Sequence, residues 1–114
     1  MDRKTMTTLD KIVKACAKEF ETTAKAIRGR DEYTWASGPE TKGRQIAMWL
    51  YRETHKEPGY EQVLAEYFGR HVSTVFHNLR RIDQQLTDPH PPAKRIRRHV
   101  ENIRAALSAQ TAAA

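Results

Sequence analysis

Residues 60–82 read YEQVLAEYFGRHVSTVFHNLRRI, and their apolar side chains recur at helical spacing in two separate stripes. The stripes consist of Tyr60, Val63, Leu64, Tyr67 and Phe68, and then of Val72, Val75, Leu79, Ile82 and Leu86. Gly69 lies between them and can take the positive φ that a tight turn between helices requires. Ala65 is small enough for a close helix crossing, and Val75 packs the second helix back onto the first. This stretch therefore predicts a helix-turn-helix centred on Gly69.

The rest of the chain also follows helical periodicity, without the alternation of polar and apolar residues that marks a strand. Thr7 followed by Asp10 resembles a capping box, which places the start of the first helix there. Further helices are predicted over 9–20, 23–28, 39–55 and 96–107. The sequence therefore predicts an all-α fold of about six helices.

The length and the charge of the chain restrict its class. Its 114 residues suit one domain, which we assign to 9–108, with an N-terminal extension at 1–8 and a disordered tail at 109–114. With 20 Lys and Arg against 14 Asp and Glu, the net charge of +6 favours a polyanionic partner. No apolar run is long enough for a membrane span, and no apolar signal core follows Met1. We therefore expect a cytoplasmic protein with no membrane partner.

Polar side chains occupy the start and the outer face of the second helix of the predicted helix-turn-helix. They are Arg70, His71, Ser73, Thr74 and His77, with Arg80 and Arg81 further along. Arg pairs bidentately with guanine, Ser and Thr contact bases or phosphates, and the free N–H groups of a helix start attract phosphate. The pattern favours a helix that reads the major groove of double-stranded DNA. The spacing alone leaves open an ordinary corner of two helices with a solvated polar face.

Two segments carry a resemblance to a known family. Residues 43–48, GRQIAM, look like the helix start PRQMAM, and residues 68–77, FGRHVSTVFH, look like the signature FGGRDHTTVLH. The motifs PRQMAM and FGGRDHTTVLH are those of the C-terminal DNA-binding domain of the bacterial replication initiator DnaA. The chain resembles that domain from about Asp10 to Leu107. The resemblance implies an all-α, Trp-repressor-like helix-turn-helix domain that binds double-stranded DNA as a monomer on each site. It also implies a place in the bacterial nucleoid and a link to replication origins.

The resemblance implies a set of DNA-binding residues. The family's minor-groove arginine corresponds to Arg44. Its major-groove residues correspond to Arg70, His71, Val72, Ser73 and Thr74, and His77 follows on the same helix. The basic residues that correspond to the family's phosphate contacts are Arg28, Arg30, Lys42, Arg52 and Lys56.

The chain departs from the family at the positions that read DNA sequence. His71 and Val72 replace an Asp-His pair, and Gly69 alone replaces a double glycine. Valine offers only apolar contact, for example to a thymine methyl group, so the family's binding sequence is not carried over. The same departures motivate an alternative function, a protein-interaction module that has lost specific DNA binding.

Other site types lack support in the sequence. His71 and His77 do not share one helical face, Cys16 has no partner cysteine, and no metal spacing is present. The glycine spacing of 38–45 imitates a phosphate loop, but Arg44 and Gln45 replace the required Lys and Ser/Thr. We therefore expect no enzyme activity, no catalytic residue, no cofactor and no small-molecule substrate.

Two further features stay open at this stage. Tyr33 and Trp35 lie in the predicted loop and either pack onto the domain or touch DNA. The basic run 94–99 is interpreted as a solvated helix face, with extra phosphate contacts as the alternative.

Overall fold

A computed structural model of the chain describes residues 1–29 and 38–113, apart from the side chains of Pro91, Pro92 and residues 110–113. Its helices are α1 (Arg3–Glu19), α2 (Ala24–Arg28), α3 (Pro39–Thr54), α4 (Tyr60–Phe68), α5 (Val72–Thr87) and α6 (Pro91–Ala113). The described residues contain no strand. The predicted all-α fold of about six helices is thus confirmed.

The first helix begins earlier than the sequence pattern indicated. The side chain of Asp2 accepts a hydrogen bond from the Thr5 N–H at 2.7 Å and caps α1. Thr7 lies inside the helix, where its hydroxyl donates to the Arg3 carbonyl at 2.9 Å. The predicted cap at Thr7 is therefore wrong, because Asp2 supplies the N-cap five residues earlier. Most of the segment 1–8 thus belongs to α1.

The central element is α3, in which every residue from Gly43 to Tyr51 is buried. A Cβ atom at Gly43 would lie 2.9 Å from Ile27 Cδ1, so the glycine allows α2 to approach α3 closely. Thr23 caps α2 by accepting from the Ala26 N–H at 3.1 Å. This short helix is therefore held by its cap and by Ile27 against the centre of the fold.

Four helices enclose most of the core. Both α1 and α5 pack against α3, and α6 packs against α1 and α5, so that α1 and α5 occupy opposite corners. The short helices attach at the edge, with α2 on α1 and α3, and α4 on α5. Fully buried members of this core include Leu9, Val13, Cys16, Ile46, Met48, Leu64, Phe68, Val75, Ile82 and Ile103. The helices α1 and α5 are thus held on the same two partners, α3 and α6, without packing extensively on each other.

The last helix extends beyond the predicted end at Leu107 and continues to Ala113. At its start, the guanidinium of Arg97 donates to the Leu86 and Asp88 carbonyls at 3.2 and 3.0 Å, which satisfies the end of α5. No helix in the described part of the chain has both the length and the apolar character needed to cross a membrane.

Candidate nucleic-acid interface

The turn between α4 and α5 has the geometry expected from the sequence. Gly69 adopts φ +61° and ψ 39°, the left-handed region that glycine favours. The Arg70 N–H bonds the Ala65 carbonyl at 3.0 Å, and the Gly69 N–H bonds the Glu66 carbonyl at 3.3 Å. These two bonds form a Schellman motif that closes α4. The predicted turn at Gly69 is thus confirmed, and it leads directly into α5.

His71 caps the start of α5. Its Nδ1 accepts a hydrogen bond from the Ser73 N–H at 3.3 Å and lies 3.0 Å from the Ser73 hydroxyl oxygen. The imidazole of His71 is exposed, while Val72 behind it is half-buried.

The outer face of α5 brings together most of the predicted reading residues. Its exposed side chains are Ser73, Thr74, Phe76, His77, Arg80 and Arg81. Residues 72–81 contain no carboxylate. The opposite face holds the helix on α3, where the Gln45 amide donates to Asn78 Oδ1 at 3.1 Å. The outer face of α5 is therefore polar, cationic and exposed, while the opposite face of the helix packs on α3.

Two predicted DNA-binding arginines contact the end of α2. Arg44 is 8% exposed, and its guanidinium donates to the Ile27 carbonyl at 2.7 Å and to the Gly29 carbonyl at 3.0 Å. Arg70 donates to the Gly29 and Arg28 carbonyls, both at 2.9 Å, and to the Phe68 carbonyl. Charged donors are the strong partners for carbonyls left open at a helix end. Both arginines therefore join α2 to the elements that carry them.

Burial also acts on the charge of Arg44. Burial, followed by the nearby charge of Arg70, lowers the pKa of the guanidinium to about 10, although the charge of Glu40 acts in the opposite direction. The group is still charged near neutral pH. To reach a DNA groove, Arg44 would have to release both of its carbonyl partners.

Arg28 is held by α4. Its guanidinium lies 4.0 Å from the centre of the Tyr67 ring and donates to the Tyr67 carbonyl at 3.2 Å. The Tyr67 hydroxyl in turn donates to Asp10 Oδ1 at 2.6 Å, which links α4 to α1. Burial, followed by this bond to the carboxylate, raises the pKa of Tyr67 well above its ordinary value. Arg28 Nη1 also lies 3.9 Å from Asp10 Oδ1, so Arg28 has a partner in α4 and one in α1.

The predicted phosphate-binding residues on α3 have partners within the fold. Arg52 forms a bidentate pair with Asp83, with N–O distances of 2.9 and 2.6 Å. Lys42 donates to Gln85 Oε1 at 3.1 Å, and burial and the charge of Arg81 lower its pKa.

The remaining predicted phosphate contacts are less constrained or undescribed. Lys56 is exposed, with its Nζ 3.8 Å from a Glu53 carboxylate oxygen. The predictions for Arg30, Tyr33 and Trp35 fall outside the described residues.

The selection of candidate residues from the sequence missed Phe76. Its side chain is 43% exposed on the outer face of α5. The signal was present in the pattern, because a residue directly after buried Val75 leaves the apolar stripe of a helix. An exposed aromatic side chain beside Arg80 makes this face suitable for base or partner contact.

An open cleft of about 670 Å³ lies beside the turn. Lys14 of α1, Lys25 and Arg28 of α2, and Gly69 and Arg70 of the turn contribute to its walls. The cleft thus connects the start of the candidate interface to α1. The described residues contain no cluster of three or more His, Cys, Asp or Glu side chains placed to hold a metal ion.

A comparison with models of protein families found none that matches this chain. A search of curated proteins likewise gave no significant match.

Proposed function

We propose that the chain is a double-stranded-DNA-binding module in which α5 enters the major groove. It would belong with DnaA-like C-terminal domains, bind as a monomer on each site and need no cofactor. The major groove is about 12 Å wide and admits one α-helix. A helix-turn-helix presents the first turns of its second helix to the base edges.

The observation that carries this proposal is the outer face of α5. From Val72 to Arg81 it presents hydroxyls, an imidazole and two guanidinium groups, and the sequence there contains no carboxylate. Ser73, Thr74 and His77 are one or two turns from the helix start, where base edges are read. Arg80 and Arg81 lie further along and suit phosphates or guanine.

We infer a structural role for four arginines to which the resemblance gives a role at DNA. Arg28, Arg44, Arg52 and Arg70 hold the helices together through carbonyl, carboxylate and ring contacts. We assign them the role of positioning α5 rather than a direct role at phosphates. The insertion of Arg44 into a minor groove stays a prediction, because it requires a rearrangement near Gly29.

Selection from a random duplex library is the experiment that tests this function. We expect an enriched sequence motif, and we expect Ser73→Ala with Thr74→Ala to relax the preference at the contacted positions by about 1 to 3 kcal/mol per base pair. Ser108→Ala, at an exposed hydroxyl on α6, is the matched control and should leave the preference unchanged. A folded protein that enriches no sequence and binds no duplex at low salt would contradict the proposal.

A second candidate function, a protein-interaction module, is favoured by one observation. Phe76 is exposed on the same face as half-buried Val72, one turn away. Aromatic side chains of this kind anchor protein interfaces. If this alternative holds, Phe76→Ala abolishes capture of a protein partner, while duplex binding is absent in both proteins. Under the DNA proposal, the same variant changes affinity mainly for sites with thymine at the contacted position.

A further inference from the structure

A second surface of one charge lies on α1, away from α5. It consists of the exposed side chains of Arg3, Lys4, Lys11, Lys14 and Lys18, which we name the α1 basic surface. Successive spacings of one, seven, three and four residues place them within one side of the helix at 3.6 residues per turn. From Arg3 to Lys18 this face extends about 22 Å at the usual rise per residue.

Three acidic residues in or beside α1 have partners other than these cations. Asp2 caps the helix, Asp10 accepts from the Tyr67 hydroxyl, and Glu19 accepts from Asn102 and contacts His99 at 2.8 Å. No cation of the α1 basic surface forms an ion pair with a residue in the described ranges. The face is therefore cationic without local compensation, although like charges at this spacing weaken a helix slightly.

The position of α1 separates this surface from the proposed reading face. Both α1 and α5 pack on α3 and α6, and neither packs extensively on the other, so the two outer faces belong to helices that are separated by the core. The principal extents of the molecule are 39 × 34 × 28 Å. Duplex DNA is stiff over such distances, since its persistence length is about 150 base pairs. Of the five cations of the α1 basic surface, Lys14 alone lines the cleft beside Gly69, so the other four lie outside the site described above.

We infer that the α1 basic surface binds the phosphate backbone of a second duplex, so that one molecule bridges two DNA segments. A line of cations about 22 Å long matches roughly six phosphates of one strand, at about 3.4 Å of axis per charge. Such contacts are independent of base sequence. The bridging activity rests on the proposed function of α5, whereas the second surface stands on α1 alone.

The chemistry of α1 favours a nucleic acid over a membrane surface. An amphipathic helix that lies in a bilayer inserts its apolar face. In α1 that face is already in the core, where Leu9 and Cys16 are fully buried. Met6, 42% exposed, lies only at the edge of the surface. The α1 basic surface therefore has electrostatic attraction, and not apolar insertion, to hold a partner, which suits a linear polyanion.

Energy transfer between a donor-labelled and an acceptor-labelled duplex tests bridging, and fluorescence anisotropy measures binding of one duplex. The α1 variant is Lys4→Gln/Lys11→Gln/Lys18→Gln, because Gln and Lys have similar helix propensity. The matched control, Lys94→Gln/Arg95→Gln/Arg98→Gln, removes the same charge from exposed positions of α6. Circular dichroism establishes that each variant is folded. The α5 variant is Arg80→Gln/Arg81→Gln.

We expect the α1 variant to need at least about 10-fold more protein for bridging than the α6 control, with single-duplex affinities within about 2-fold of each other. Equal bridging by the two variants overturns the inference. Loss of single-duplex binding by both the α1 and the α5 variants also overturns it, since α1 then belongs to one continuous interface. If the α1 variant no longer binds phosphatidylserine vesicles but still bridges duplexes, the inference is overturned, because the partner of the α1 basic surface is then a membrane.

The proposed function and this inference fail in different ways. If α5 does not bind DNA and α1 does, the α5 variant binds a single duplex like the unaltered protein, whereas the α1 variant loses that binding. If only α5 binds DNA, the α5 variant alone loses single-duplex binding, and neither the unaltered protein nor any variant bridges two duplexes.

Discussion

Arg44 and Arg70 donate hydrogen bonds to the same backbone oxygen, the carbonyl of Gly29, at 3.0 and 2.9 Å. Arg44 belongs to the central helix α3, and Arg70 belongs to the turn that precedes α5. One carbonyl at the end of α2 thus connects the core to the start of the proposed reading helix. Two guanidinium groups repel each other at this distance, and the partial negative charge of a helix end offsets that repulsion.

Replacement of Arg44 tests its structural role. Arg44→Met removes the donors to the Ile27 and Gly29 carbonyls, and we expect a loss of about 2 to 4 kcal/mol in the free energy of unfolding, since acceptors are left without partners. Urea unfolding measures this loss. Arg52→Met removes an arginine from a more exposed pair and should have a smaller effect. If Arg44→Met unfolds like the unaltered protein but binds duplex more weakly, the residue acts at the DNA instead.

The turn glycine offers a backbone test. No atom lies within 4 Å of a Cβ built at Gly69, so the cost of Gly69→Ala comes from the positive φ alone. We expect Gly69→Ala to destabilise the fold by about 1 to 2 kcal/mol and Gly69→Asn by less, because Asn tolerates the left-handed region. Thermal unfolding compares the two variants. Equal stability of all three proteins would mean that the turn adopts another conformation.

The pair of Arg52 and Asp83 makes stability depend on pH. The hydrogen bonds from Arg52, followed by the one from Trp49, lower the pKa of Asp83 below its ordinary value of 3.8. A carboxyl with a lowered folded-state pKa stabilises the protein fully above its unfolded pKa, and this stabilisation is lost as the pH falls through the folded pKa. We expect Asp83→Asn to reduce stability at neutral pH by about 1 kcal/mol or less, because solvent screens a half-exposed pair. The difference from the unaltered protein should shrink below pH 3.8. A difference that is the same at neutral and at acid pH would contradict this assignment.

Salt dependence tests the cationic end of α5. If about six phosphates are contacted, the slope of log affinity against log salt is near −5, and Arg80→Gln/Arg81→Gln should make it less steep by about 2. Anisotropy titrations across a salt series measure the slope. The matched control is Arg95→Gln/Arg98→Gln on α6. An equal change in the control would assign the effect to net charge rather than to α5.

The sequence allowed a reliable prediction of features that depend on neighbouring residues. The apolar stripes predicted where α4 and α5 lie, and the turn at Gly69 followed from the conformational freedom of glycine. The start of α1 was placed wrongly, because Thr7 and Asp2 both have side chains that can cap a helix. The pattern of Ser73, Thr74 and His77 on one outer face also followed from helical periodicity.

The roles of the arginines were decided by the tertiary structure. A guanidinium in a basic sequence suits phosphate as well as it suits an open carbonyl, and the sequence does not show which carbonyls lie within reach. Arg44 meets Gly29 only because α2 packs on α3, and Arg52 meets Asp83 only because α5 packs on the same helix. By itself the sequence determined the helices, the turn and the polar face of α5, since these follow from local periodicity and backbone preference. Only the packing of helices distant in the chain decided which cations hold the fold and which stay exposed.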